Sequence, residues 1–161
     1  MGVVALATSQ DQAHDESLLK TVANLKELTK VTKQPVVLGP KIAALCAPAS
    51  FPDHSQLIHK PKAVIEVYVS APGVAAMKDQ SAVFPLGTVV LKQKFASSTE
   101  KEPEFYTGMI KRAKGYNPEC GDWEFFTVSG DGKTLSSSGI IKSCIECHKH
   151  YDNSDFVTKN Y

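Results

Sequence analysis

Arginine is almost missing from this chain, for Arg112 is the only one among 161 residues. Recognition of nucleic acid leans on guanidinium forks and basic surfaces, and 18 basic against 17 acidic residues leave a formal charge of only +1. That composition excludes nucleic acid as an expected partner. Long apolar runs are lacking too. None approaches the roughly 20 residues that a membrane-crossing helix requires, so no membrane span is expected. Tryptophan occurs once, at Trp123, and cysteine four times, at Cys46, Cys120, Cys144 and Cys147, too sparsely for a disulfide scaffold.

What is present is an ordinary globular balance, 42% hydrophobic and 22% charged, at a length that suits one domain around one core. We expect residues 14–161 to form that domain and residues 1–13 to be a flexible N-terminus or the remnant of a signal peptide. The opening MGVVALATSQD fits either a frayed end or the close of a signal h-region, with Ala5-Leu6-Ala7 as a small-residue cleavage site.

From His14 to Val31, the residues Leu18, Val22, Leu25 and Leu28 recur along one helical stripe, which predicts an amphipathic helix with Asp15 and Glu16 in its first turn. Pro35, Gly39 and Pro40 break that pattern. Pro40 suits the first turn of a shorter helix through Ile42, Leu45 and Cys46. A polar loop over 47–61 then carries His54 and His59. The middle of the chain changes period: AVIEVYVS, TVVLKQKF, EFYTGMIK and DWEFFTVS are β-branched or aromatic runs set apart by turn residues, and they read as strands. Residues 72–77 read as a short helix between the first two. Short links between successive strands favour antiparallel pairing. The expected fold class is therefore α+β: a mainly antiparallel sheet with flanking helices, N-terminal helices, and a C-terminal helix from Ile140 to His150.

That last helix carries SCIECHKH. C-x-x-C-H is the attachment signature of c-type haem, in which two thiols add to porphyrin vinyl groups and the adjoining histidine ligates iron. Cysteines three apart on a helical turn face the same way, which matches two vinyls on one macrocycle edge, and the next residue projects under the metal. Cys144 and Cys147 are thus the candidate attachment residues, His148 the candidate metal ligand, and haem c the expected cofactor. Two other chemistries use paired cysteines. Thiol–disulfide exchange leaves His148 unexplained and prefers a βαβ context. A structural zinc site would have to recruit Cys46 and Cys120, which lack paired spacing. Since c-type attachment occurs outside the bacterial cytoplasm, an exported, periplasmic location is expected. There Cys46 and Cys120 would oxidise to a disulfide, with two unrelated buried thiols as the alternative.

An electron carrier usually fills the sixth coordination position with methionine or a second histidine. No methionine follows His148, and His150 is too near in sequence to reach the opposite face. Met77, Met109, His54 and His59 lie upstream, where core and surface roles compete with ligation. A five-coordinate iron that binds small molecules is the expectation.

In this order, FPLGTVVLKQKF, GMIKRAKGYNPECGDWEFF and SCIECHKHYDNSDFV resemble the cytochrome P460 family and its close relative cytochrome c′-beta, over residues 45–160. The resemblance implies an antiparallel sheet with flanking helices, a homodimer, and one c-type haem near the C-terminus. For P460 proteins it further implies a lysine bonded to the porphyrin and oxidation of hydroxylamine, with nitric oxide and nitrous oxide as linked products and an external electron acceptor. Cytochromes c′-beta lack that bond and bind nitric oxide or carbon monoxide without turnover, which is the alternative function here. The family's lysine lies in a G-T-x-x-x-K stretch, matched by Lys92 in GTVVLK. On a strand Thr88, Val90, Lys92 and Lys94 share a face, and burial against an apolar macrocycle favours the neutral, nucleophilic amine.

The glutamate that P460 enzymes place before the G-D-W segment falls on Thr107. Its hydroxyl can hydrogen-bond to a ligand but cannot take up a proton at neutral pH as a carboxylate does. Glu104 would come near only through a one-residue bulge, because its strand parity is opposite. Phe105 and Met109 share the face of Thr107 and are distal-pocket candidates, with plain core as the competing role. Trp123, Phe125 and Phe126 read as packing. Arg112 reads as a solvated strand-end charge, with a haem propionate as the alternative partner.

Overall fold

The computed structural model describes residues 9–39 and 62–161. Cys46, His54, His59 and the shorter helix expected after Pro40 lie outside the described residues.

Helix α1 spans Ser9–Ala23 with Asp11 in its first turn. It starts ahead of His14 and ends before the apolar stripe does, because Leu25–Glu27 tightens into a 3-10 turn and Thr29–Lys30 becomes strand β1. Pairing decides this. Thr29 and Lys30 lie opposite Val69 and Tyr68, and the Val31 N–H donates to the Val67 carbonyl at 2.8 Å. The β-branched residues Thr29, Val31 and Thr32 give up little by leaving a helix.

Strands β2 (Val36–Val37), β3 (Val64–Val69), β4 (Val89–Phe95), β5 (Phe105–Lys111), β6 (Trp123–Ser129) and β7 (Leu135–Gly139) complete the sheet. Every pair is antiparallel, in the order β1-β3-β4-β5-β6-β7, with β2 also on β3. Helix α2 (Val74–Lys78) follows a 3-10 turn between β3 and β4, and α3 (Lys142–His148) runs on into 3-10 turns over Lys149–Ser154. The architecture is α+β, as the sequence pattern predicts.

Alternation along each strand sends side chains to two faces. Leu91, Ile110, Phe126 and Val128 take one face, and α1 closes over them with Leu18 and Val22. Ile65, Val67, Val90, Met109, Trp123 and Phe125 take the other, together with residues of α2 and α3. Gly108, in the middle of β5, faces the α1 side, where the ring of Phe126 fills the place a Cβ would need. A Gly108→Ala substitution is expected to overpack this face and lower unfolding free energy by about 1–3 kcal/mol. Urea unfolding checks this: the midpoint falls while the m-value stays unchanged.

Candidate functional site

On the sheet face opposite α1, the strands and α3 enclose a cleft of about 920 Å³, part of it open to solvent. Cys144, Cys147 and His148 line it from α3, and Lys92, Thr107 and Met109 line it from β4 and β5. Strand register brings the second group together. Lys92 pairs with Thr107, Thr107 with Thr127, and Thr127 with Ser137, so one polar row crosses the cleft floor from β4 to β7. Thr127 Oγ1 and Ser137 Oγ share a hydrogen bond of 2.7 Å. The neighbouring row, Val90, Met109 and Phe125, is apolar.

His148 ends α3, and its ring packs on Phe125 with centroids 5.2 Å apart. Its Nδ1 lies 2.7 Å from the Phe156 carbonyl oxygen. A carbonyl can only accept, so Nδ1 carries the proton and Nε2 keeps its lone pair. Burial pulls the pKa of the imidazole down to about 4, against the opposing effect of the Phe156 hydrogen bond and with a further push from the Lys92 ammonium. A neutral imidazole, Nδ1–H donated to a carbonyl and Nε2 available, is the form in which histidine ligates a metal. The residues present therefore fit haem c: paired thiols one helical turn apart beside an imidazole already in the ligating tautomer, all on one cleft.

The profile of the family described as cytochrome P460 matches residues 46–159. The chain belongs to the cytochrome P460 family. No curated protein sequence matches it.

Several P460 site candidates meet in the cleft, and others do not. Phe105 shares the strand face of Thr107, yet it is 1% exposed and lies under the Lys94 ammonium, 4.5 Å from the ring centre, so it belongs to the core and does not line the cleft. Glu104 pairs with Lys94 at 3.2 Å, and the register of β4 on β5 runs without a bulge. No Asp or Glu side chain is among the described residues that line the cleft. Arg112 neither points freely into solvent nor turns to the cleft, because its Nε donates to Glu124 at 2.5 Å on the α1 face, where His14 Nε2 also meets Glu124 at 2.8 Å. Met77 is packed in the core. Trp123, Phe125 and Phe126 are all buried packing residues, though Phe125 also supports His148.

Cys120 is fully buried, and that burial pushes its thiol up to about 12. Its expected partner Cys46 lies outside the described residues. Among the described residues no cluster of three or more His, Cys, Asp or Glu side chains is arranged to hold a metal ion, and no helix is long and apolar enough to cross a membrane. Sequence reasoning missed the Phe156 carbonyl, the Thr127–Ser137 pair, and Asp155. No spacing rule marks a backbone acceptor, and Ser137 sits in LSSSG, whose composition is weak in strand formers.

The lowered pKa of His148 has a pH consequence. Between pH 6.5, its ordinary value, and about 4, the unfolded chain binds a proton that the folded chain refuses, so stability falls as pH drops through that window and levels off below it. In haem-free chain made by Cys144→Ser with Cys147→Ser, urea midpoints are expected to decline across this range. His148→Gln should flatten the decline.

Proposed function

We propose that this chain is an exported, periplasmic, homodimeric cytochrome P460 that carries one haem c and oxidises hydroxylamine, with nitric oxide and nitrous oxide as linked products. The observation that carries the reading is that Lys92, from mid-chain, lines the same cleft as Cys144, Cys147 and His148. When bound, haem supplies an iron centre that takes electrons from a small nitrogen ligand and passes them to an external acceptor. The chain does the rest. Cys144 and Cys147 give the thioether sulfurs, and His148 offers Nε2 to iron while Phe156 holds its other nitrogen. Lys92 would join the porphyrin through its amine, nucleophilic once neutral, with an N–H and a porphyrin C–H broken as the C–N bond forms and the two electrons released passing to the external acceptor. Thr107, directly across from Lys92, hydrogen-bonds the small ligand, and Met109 and Phe125 keep bulk water from it. In the same compartment Cys46 and Cys120 form a disulfide.

One observation favours a second reading, capture of nitric oxide without turnover in the manner of cytochrome c′-beta. Hydroxylamine must lose protons as it is oxidised, and the described cleft lining offers hydroxyls such as that of Thr107 but no Asp or Glu side chain to accept them.

Mass spectrometry of proteolysed holoprotein should find the peptide of Lys92 joined to haem together with those of Cys144 and Cys147, and the reduced protein should show a strongly red-shifted Soret band. Lys92→Met should keep haem on the cysteines and return an ordinary high-spin c-type spectrum. That ordinary spectrum in the unmutated protein would sink the crosslink. Thr107→Glu, assayed anaerobically with hydroxylamine and an artificial electron acceptor, should raise turnover on the order of 10²-fold by restoring a general base. An intact spectrum with no gain would instead leave capture as the function.

A further inference from the structure

Behind His148 lies a cluster that the proposed chemistry does not use. Asp155 and Phe156 both adopt positive φ, 55° and 63°, a left-handed conformation that side chains with a Cβ disfavour and that persists only where the surroundings enforce it. The surroundings do enforce it. Both carboxylate oxygens of Asp155 accept from Lys111 Nζ, at 2.6 and 2.8 Å, and Oδ2 also accepts the Phe84 N–H at 2.8 Å. The Asp155 carbonyl accepts the indole N–H of Trp123 at 2.8 Å, while the Phe156 N–H donates to the Tyr151 carbonyl at 2.7 Å. Lys111 and Asp155 are each nine-tenths buried, and the ammonium also rests 5.1 Å from the Trp123 ring. From the other side the Phe156 ring packs against Gly121, where any Cβ would collide with it and approach Asp155 Oδ1.

The product of all these restraints is the placement of one atom, the Phe156 carbonyl oxygen, on His148 Nδ1. The geometry points to the Lys111–Asp155 ion pair as a positioning device for the iron ligand. By fixing the Asp155–Phe156 turn it holds the acceptor that keeps His148 in its Nδ1–H tautomer, and so sets how strongly Nε2 donates to iron. This rests on the haem reading proposed above. A carbonyl that accepts strongly from Nδ1–H gives the imidazole partial anionic character, strengthens the iron–histidine bond and favours ferric iron. A ligand with a loosened carbonyl does the reverse.

The test uses holoprotein. Asp155→Gly tolerates the positive φ without strain while removing the carboxylate anchor. It should lower the iron–histidine stretching frequency in the resonance Raman spectrum of the reduced protein and raise the reduction potential, with haem still attached. Lys111→Met with Asp155→Asn removes both charges together, avoids leaving a buried carboxylate alone, and should shift both readouts in the same directions. Leu18→Ala, in the core under α1, should cost comparable stability and move neither readout.

Wild-type frequency and potential in both Asp155 variants would overturn the proposal and reduce the ion pair to a fold-stabilising contact. Should the unmutated protein carry no covalent haem, the functional reading fails separately. Nitrogen NMR of the chain then decides the positioning claim, which requires the Nδ1–H tautomer of His148 in the unmutated protein and its loss in Asp155→Gly, and which falls if the tautomer is unchanged.

Discussion

Because a backbone carbonyl accepts hydrogen bonds and never donates one, the 2.7 Å contact between His148 Nδ1 and the Phe156 oxygen fixes a protonation state as well as an orientation. The carbonyl would by itself favour the imidazolium, since it accepts more strongly from the charged ring. Burial opposes the charge and wins, which leaves the ring neutral with its tautomer already chosen. A histidine in bulk water divides its proton between two nitrogens and must settle that choice whenever it meets a metal. Here folding settles it. In the proposed reading, a haem held by Cys144 and Cys147 would meet at His148 a nitrogen whose lone pair is not contested by a proton at neutral pH.

The cleft depends equally on packing on the far side of the sheet. Side chains alternate with period two, so a slip of one residue in β4 or β5 would send Lys92 or Thr107 into the apolar layer under α1 and bring Leu91 or Ile110 to the cleft. That slip is opposed where Leu91, Ile110, Phe126 and Val128 meet Leu18 and Val22, and by the close seat of the Phe126 ring over Gly108. None of these residues faces the cleft on its own strand parity, yet they set the row in which Lys92, Thr107, Thr127 and Ser137 stand abreast. The register is a packing decision with a chemical result.

This division also explains what could be read from the amino-acid order. The four long strands were legible because β-branched and aromatic runs with turn residues between them are local signals, and Cys144, Cys147 and His148 were legible because their chemistry is written in five consecutive positions. Lys92 needed a family motif, since a strand lysine carries no mark of its surroundings. The edges were not legible. β1 is two residues that a helical stripe runs into, and only its pairing with β3 makes it a strand; β7 is rich in serine and is held by β6. Phe105 looked like a pocket residue by parity, and its closure by Lys94 comes from a contact that parity does not describe. Asp155 and Phe156 matter through Lys111, Trp123, Phe84 and Gly121, partners brought together only by the finished fold.

The contrast between Lys92 and Lys94 shows how much that fold decides. The two share a strand, a face and a residue type, and stand only two positions apart. Lys94 is 1% exposed, faces Glu104 at 3.2 Å and covers the Phe105 ring. Lys94 is thereby part of the packing. Lys92 stands instead at the cleft, beside Thr107 on β5 and Val67 on β3. It also sits near enough to His148 to push down that imidazole's pKa. Two lysines that the sequence alone cannot rank are thus separated by the fold, one packed over Phe105 beside Glu104 and the other on the cleft that Cys144, Cys147 and His148 also line.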